Sequence, residues 1–131
     1  MVFGNTVKVA KRRRVLVVDD HADTAEILVE MVGCLGHDAR AANNGRDALR
    51  VARDFAPQLV LLDLQLPDAS GYDLIGAFRA ALKAVYIAAV TCWGRDEDHV
   101  RSRRAGLDQH VVKPLDLRKL REIIALAAIN S

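Results

Sequence analysis

Side chains that could bind a cation or a phosphoryl group follow several apolar runs of this sequence. Asp19 and Asp20 follow VLVV, Asp63 follows LVLL, Thr91 follows AVYIAAV, and Lys113 follows QHVV. Two carboxylates about 4 Å apart repel by about 1 kcal/mol in water and about 4 kcal/mol at the effective dielectric of a protein surface. Neighbouring acids therefore raise their pKa values, spread into solvent or hold a cation. An all-oxygen set with few protein ligands favours Mg²⁺ over Ca²⁺.

The same residues supply the groups that phosphoryl transfer needs. A metal and the Lys113 ammonium would neutralise the phosphoryl oxygens, the Thr91 hydroxyl would donate a hydrogen bond, and a carboxylate would attack. Asp63 is the expected nucleophile because it alone ends the predicted central strand, and aspartate is a known covalent acceptor. Phosphatases of the haloacid-dehalogenase type carry a second Asp two residues after the nucleophile, where this sequence has Gln65. Since Gln65 cannot shuttle protons, an acyl phosphate on Asp63 is expected to persist, as in a switch.

Glycine-rich nucleotide-binding loops are absent from the sequence. Neither G-x-x-x-x-G-K-[ST] nor G-x-G-x-x-G occurs, and such loops are what cradles the phosphates of a nucleotide. The residues after the first apolar run, DDHAD, would repel a bare pyrophosphate. A nucleotide site is therefore not expected.

Apolar runs alternate with amphipathic segments along the chain, which predicts five strands and five helices. The predicted strands lie at 15–19, 38–42, 58–64, 84–90 and 109–112. The longer runs lack in–out alternation, which is typical of a parallel sheet covered on both faces. We therefore predict an open, doubly wound α/β fold in which the polar residues meet at the carboxyl edge of the sheet.

Two of the predicted helices carry specific expectations. Asp23-x-x-Glu26 resembles a capping box at the start of the first helix, and Gly36 is expected to end that helix. The fourth helix, 95–105, is highly charged, with Val100 nearly its only apolar anchor. A helix that buries so little is expected to be mobile or to dock a partner, or else to be a solvated face.

The composition is that of one globular domain, with 51% hydrophobic and 27% charged residues. Residues 1–12 are expected to form a flexible basic leader, and a net charge of only +2 gives no footprint for nucleic-acid binding. No apolar run approaches the ~20 residues of a membrane helix, and no signal-peptide core follows the first charges, so we expect a cytoplasmic protein without membrane insertion. Cys34 and Cys92 are too few to suggest a disulfide framework or a zinc site.

The motifs together resemble a response-regulator receiver domain of two-component signalling. The resemblance rests on DD at 19–20, LVLLDLQLPDASG at 59–71, Thr91 and VVKP at 111–114, in order and with family-like spacing. It covers residues 13–129 and leaves 130–131 as a tail. It implies a flavodoxin-like sheet of five parallel strands in the order 2-1-3-4-5. The style of the sequence is similar to receivers attached to hybrid sensor kinases.

The resemblance also implies a chemistry. A histidine kinase or a phosphotransfer protein would transfer a phosphoryl group to Asp63. Asp20, Asp63 and the backbone carbonyl of Gln65 would hold Mg²⁺, with Asp19 behind them or bound through water. Lys113 and Thr91 would contact the phosphoryl group, and the Lys113–Pro114 peptide bond would be cis.

The implied role is a signalling module with slow autodephosphorylation rather than a turnover enzyme. After phosphorylation Thr91 would move, and the face made by the fourth helix, fifth strand and fifth helix would change shape and bind an output partner. The chain is expected to be a monomer or a weak dimer. Two alternatives remain: a phosphorylation-independent interaction module, and a small Asp-nucleophile phosphatase.

Several positions near the predicted site depart from the family pattern or have a second interpretation. His110 stands where the family commonly has Tyr or Phe, so a switch and a plain surface histidine both remain open. Cys92 is expected to be a packed, inert thiol. Trp93 either tunes dephosphorylation or is a loop ring, and His21 is expected to face solvent.

Overall fold

The computed structural model describes residues 11–68, 71–92 and 106–129. These residues contain one sheet with the strand order β2-β1-β3-β4-β5, in which every pairing is parallel. Its strands are β1 Arg14–Val18, β2 Asp38–Ala42, β3 Leu59–Leu62, β4 Tyr86–Thr91 and β5 Gln109–Val112. The predicted fold class and the predicted strand order are both confirmed.

Helices cover both faces of the sheet. They are α1 Ala22–Cys34, α2 Gly45–Phe55, α3 Gly71–Ala81 and a final helix, Leu117–Ile129. None of these described helices combines the length and the apolarity needed to cross a membrane. The predicted fourth helix, together with Trp93, leader residues 1–10 and tail residues 130–131, lies outside the described residues.

The two faces of the sheet bury alternate residues of the same strand. In β1, Val15 and Val17 pack in a core with α1 and the final helix, whereas Leu16 and Val18 pack in a core with α2 and α3. All four side chains are at most 1% exposed, and β3 is buried in the same way. Burial on both sides explains why these strands are continuous apolar runs.

The two ends of α1 differ in how well the sequence predicted them. The capping-box prediction is wrong: the N-cap residue is His21, it makes no side-chain capping bond, and Asp23 lies inside the first turn. The expected end at Gly36 is confirmed, because Gly36 has φ +89° and its N–H donates to Gly33 O at 3.0 Å. The N–H of His37 donates to Val32 O at 3.2 Å, which completes a Schellman motif.

Candidate functional site

Backbone hydrogen bonds place the predicted site residues at one edge of the sheet. The N–H of Asp19 donates to Ala42 O at 3.0 Å, and the N–H of Asp63 donates to Val18 O at 2.9 Å. The N–H of Lys113 donates to Thr91 O at 2.7 Å. Each bond extends the ladder of the parallel sheet by one residue past a strand end, so side chains that are far apart in sequence converge.

The acids and one neighbouring histidine form a compact cluster of possible metal ligands. Ligand atoms of Asp19, Asp20, His21 and Asp63 all lie within 4.8 Å of one another. Asp19 is buried and Asp20 is exposed, so the cluster is open to solvent on one side. Carboxylate oxygens with space for water suit a hard divalent cation, and the cluster could therefore bind one.

His21 is the member of this cluster that the sequence did not single out as a ligand. Its side chain is 73% exposed, as expected, but its Nδ1 lies 3.1 Å from Asp20 Oδ1 and 3.4 Å from Asp19 Oδ1. The backbone N–H of His21 also donates to Asp19 Oδ1 at 2.9 Å. Its position directly after the two acids was the available signal.

Lys113 lies between two of the acids and is closer to Asp19. Its Nζ is 2.8 Å from Asp19 Oδ2 and 4.0 Å from Asp63 Oδ2. Burial alone would raise the pKa of Asp19, but the hydrogen bonds from Lys113 and from the His21 backbone outweigh it and lower that pKa. Burial alone would lower the pKa of Lys113, whereas the hydrogen bond to Asp19 and its charge raise it. The pair is therefore ionised, and Asp19 anchors the ammonium next to Asp63.

Asp63 has one oxygen fixed and the other directed toward Lys113. Its Oδ1 accepts a hydrogen bond from the N–H of Gln65 at 2.9 Å. Burial raises the pKa of Asp63, and the nearby charges of Asp19 and Asp20 add to this, against the opposing effects of the Gln65 N–H and Lys113. Crowding by like charges is the electrostatic situation that a bound cation relieves.

The loop after Asp63 is tied to α2 by Asp68, which sequence analysis did not single out. Asp68 Oδ1 accepts from the N–H of Gly45 at 2.7 Å, and Oδ2 accepts from the N–H of Arg46 at 3.2 Å. Both bonds lower the pKa of Asp68, and the bond from Gly45 has the larger effect. The contact fixes the loop that carries Gln65 against the N-terminus of α2, whose N–H groups attract negative charge. No pattern in the sequence indicated this long-range pairing.

Thr91 and His110 meet across the two strands at this side of the sheet. Thr91 Oγ1 lies 3.3 Å from His110 Nε2, and both side chains are partly buried. Thr91 ends β4 and His110 lies within β5, where Ala89 is its partner in the register. A role of His110 in the switch stays a prediction.

Two further predictions concern residues beside the site. Cys92 is exposed, so the expectation of a packed thiol is wrong, because β4 ends at Thr91 and the chain leaves the sheet there. The Lys113–Pro114 peptide bond is cis.

The chain matches the model of a known protein family. The family model described as the response regulator receiver domain matches residues 15–125. Response regulator protein PilR of Pseudomonas aeruginosa is 33% identical over 116 residues, which are 88% of this chain and 26% of that protein. Sensor histidine kinase RcsC of Salmonella typhi is 33% identical over 114 residues, which are 87% of this chain and 12% of that protein. The chain thus spans only a minor part of these curated relatives.

Solved structures with the same fold carry the same description. A response regulator receiver domain protein from Methanospirillum hungatei JF-1 superposes with a TM-score of 0.84 at 25% identity, covering 91% of this chain and 95% of that one. A response regulator receiver domain from Methylobacillus flagellatus superposes with a TM-score of 0.78 at 27% identity, covering 89% of this chain and 99% of that one.

Proposed function

The chain belongs to the response regulator receiver family, and on this premise we propose that Asp63 accepts a phosphoryl group from a histidine kinase or a histidine phosphotransfer protein. The observation that carries the proposal is the state of the Asp63 carboxylate. Its side chain is 12% exposed, its Oδ1 is fixed by the Gln65 N–H, and its Oδ2 faces the Lys113 ammonium at 4.0 Å. A fixed, partly desolvated carboxylate beside a cation is prepared to attack an electrophile that it can hold in place.

The residues around Asp63 divide the transfer among them. Oδ2 of Asp63 forms the new bond to phosphorus, while the bond to the donor imidazole nitrogen breaks and its electron pair stays on that nitrogen. Lys113 neutralises a phosphoryl oxygen, since its Nζ lies 4.0 Å from the Asp63 oxygen that receives the group while Asp19 holds it at 2.8 Å. The Thr91 hydroxyl donates to another phosphoryl oxygen.

The acid cluster fits Mg²⁺. Asp20, Asp63 and the backbone carbonyl of Gln65 would hold the ion, with Asp19 behind them or bound through water, since Asp19 is occupied by Lys113. When bound, the ion neutralises charge on the phosphoryl oxygens. The role of the chain is to keep three carboxylates close together, where a bound cation relieves their repulsion.

Transfer would alter the surface that an output partner reads. Phosphorylation replaces the single negative charge of Asp63 by about 1.5–2 negative charges, and the phosphoryl oxygens accept new hydrogen bonds from Thr91 and Lys113. Apolar side chains are exposed on the part of the proposed output face that β5 and the final helix provide: Val112 is 45% exposed and Leu117 is 43% exposed. We propose that this face binds the partner together with segment 95–105, which lies outside the described residues, and that residues 13–129 form a cytoplasmic monomer or weak dimer that binds no nucleic acid.

Phosphoryl uptake tests the proposal directly. The protein is incubated with Mg²⁺ and acetyl phosphate, and its intact mass is recorded for the wild type, for Asp63→Asn and for Asp54→Asn. Asp54 is an exposed acid of α2 away from the cluster, so its variant controls for the loss of a carboxylate. One added phosphoryl group is expected in the wild type and in Asp54→Asn only.

Other outcomes would favour the alternatives. Equal uptake by Asp63→Asn would contradict the assignment of the acceptor. No uptake together with no Mg²⁺ binding would favour an interaction module that works without phosphorylation. Steady hydrolysis of a phosphate ester would favour a phosphatase.

A further inference from the structure

A groove lies at the edge of the sheet opposite the acid cluster. Arg13 and His37, which line it, directly precede β1 and β2, whereas the acids follow their strands. The groove has a volume of about 240 Å³ and reaches the last two turns of the final helix. Its lining residues are Lys11, Arg13, Leu35, His37, Arg121, Ile124, Ala125 and Ala128.

The lining combines an apolar floor with a cationic rim. Leu35, Ile124, Ala125 and Ala128 supply hydrocarbon surface, and Lys11, Arg13 and Arg121 supply positive charge. No carboxylate belongs to the described residues that line the groove. Such a site is complementary to a ligand with a negative head and an apolar body, since each part would meet a matching surface.

His37 provides a polar group directed at this ligand. The residue is only 8% exposed, and its Nδ1 accepts a hydrogen bond from the N–H of Arg13 at 2.9 Å. Because Nδ1 is an acceptor, the ring proton of the neutral imidazole lies on Nε2. Within the part of the chain that the structure describes, no hydrogen bond engages Nε2. The Schellman motif holds the backbone of His37, and the bond from the Arg13 N–H holds its ring. The Nε2–H group of the ring is therefore a fixed donor beside the groove.

We propose that the groove binds a monocarboxylate with an aliphatic chain of medium length, with the carboxylate between His37 Nε2 and the Arg121 guanidinium and the chain against Ile124. This binding site is separate from the acid cluster and does not depend on phosphoryl transfer.

The charges around His37 give the proposal a second signature. Burial lowers the pKa of His37, and the positive charges of Arg13 and Arg12 lower it further, against a weaker opposite effect of Asp38. Lys11 and Arg121 are the other charged residues that line the groove. A carboxylate bound at Nε2 favours the protonated ring, so binding should raise the pKa of His37.

The test uses octanoate as the probe, with 1-octanol and acetate as matched ligands that each lack one of its two parts. The His37 ring resonances of the full chain are followed by NMR as a function of probe concentration and of pH. Arg121→Glu reverses one charge at the groove, and Lys119→Glu makes the same change on the same helix away from the groove. Both side chains are exposed, so both variants are expected to fold.

We expect saturable shifts of the His37 resonances with octanoate, a raised His37 pKa in the complex, and binding at least about tenfold weaker for acetate and for 1-octanol. Arg121→Glu should weaken octanoate binding by roughly tenfold, and Lys119→Glu should leave it within about twofold. The proposal is overturned if octanoate leaves His37 unperturbed, if 1-octanol binds equally well, or if the two variants bind alike.

Discussion

Thr91 Oγ1 and His110 Nε2 lie 3.3 Å apart, so the hydroxyl at the end of β4 contacts an imidazole of the edge strand β5. The family commonly carries Tyr or Phe at the position of His110, and the carbon edge of such a ring can neither accept nor donate this bond. The histidine therefore adds a polar link between the two residues that the switch is expected to use. It also places a side chain of the type that changes charge near neutral pH next to the predicted phosphoryl contact.

A double-mutant cycle should detect this link. Thr91→Val removes the hydroxyl with little change in shape, and His110→Phe restores the ring that is common in the family. We expect each change to lower the free energy of unfolding by about 1 kcal/mol, with a coupling of about 0.5–1 kcal/mol, because both remove the same hydrogen bond. Urea unfolding measures all four proteins, and Thr24→Val in α1 controls for loss of a remote hydroxyl. Strict additivity would show that the contact contributes nothing.

Removal of the Lys113 ammonium should leave a buried charge uncompensated. Lys113→Met is expected to lower the free energy of unfolding at neutral pH by about 3 kcal/mol, because the Asp19 side chain is only 3% exposed and loses its cation. Adding Asp19→Asn should recover most of this loss. Chemical unfolding of both variants without added metal provides the measurement, with the exposed Lys119→Met as control. A loss as small as that of the control would refute this account.

His37 should make stability depend on pH in one direction. Its folded-state pKa is lowered, chiefly by burial, so the unfolded chain binds a proton more readily than the folded one. The free energy of unfolding should therefore be highest above about pH 6.5 and fall as the pH drops from 6.5 to the folded-state pKa. His37→Asn keeps an acceptor for the Arg13 N–H and should flatten this part of the profile. An unchanged slope in the variant would assign the effect to other groups.

Arg79 should stabilise the junction between α3 and the last two strands. Its guanidinium donates to the carbonyl oxygens of Val85 and Gly106 and to Asp108 Oδ2, the last at 2.7 Å. Arg79→Met keeps much of the aliphatic stem, so the lost hydrogen bonds should lower the free energy of unfolding by about 2 kcal/mol. Arg53→Met, at an exposed position of α2, should change it by less than about 0.5 kcal/mol. Thermal unfolding would distinguish the two variants, and equal losses would contradict the prediction.

The fold and the location of the site were predictable because they depend on burial. The runs that became β1, β3 and β4 are apolar on both faces, and strands of that kind occur in covered parallel sheets. Once the sheet is parallel, the residues that follow its strands must share one edge. Asp19, Asp63 and Lys113 therefore meet as expected.

The partners of individual side chains were not predictable, because they depend on distances of a few ångströms between remote segments. Nothing in the sequence indicates that Lys113 is closer to Asp19 than to Asp63. The capping signal at Asp23 was misplaced because α1 begins at Ala22, one residue before it. His37 carried no functional expectation, since its burial and its bond to Arg13 result from the tertiary packing of the chain after α1.

Hydrogen bonds hold edge strand β5 to β4 at both of its ends. At one end, Asp108 exchanges hydrogen bonds with Ile87, its N–H donating at 3.0 Å and its Oδ2 accepting at 2.8 Å. At the other end, the Lys113 N–H bonds to Thr91 O. His110 lies between these two ends, so its side chain can rotate while the backbone of β5 stays in place. A conformational change at this edge would therefore be a rotation of side chains, during which β5 keeps its backbone hydrogen bonds to β4.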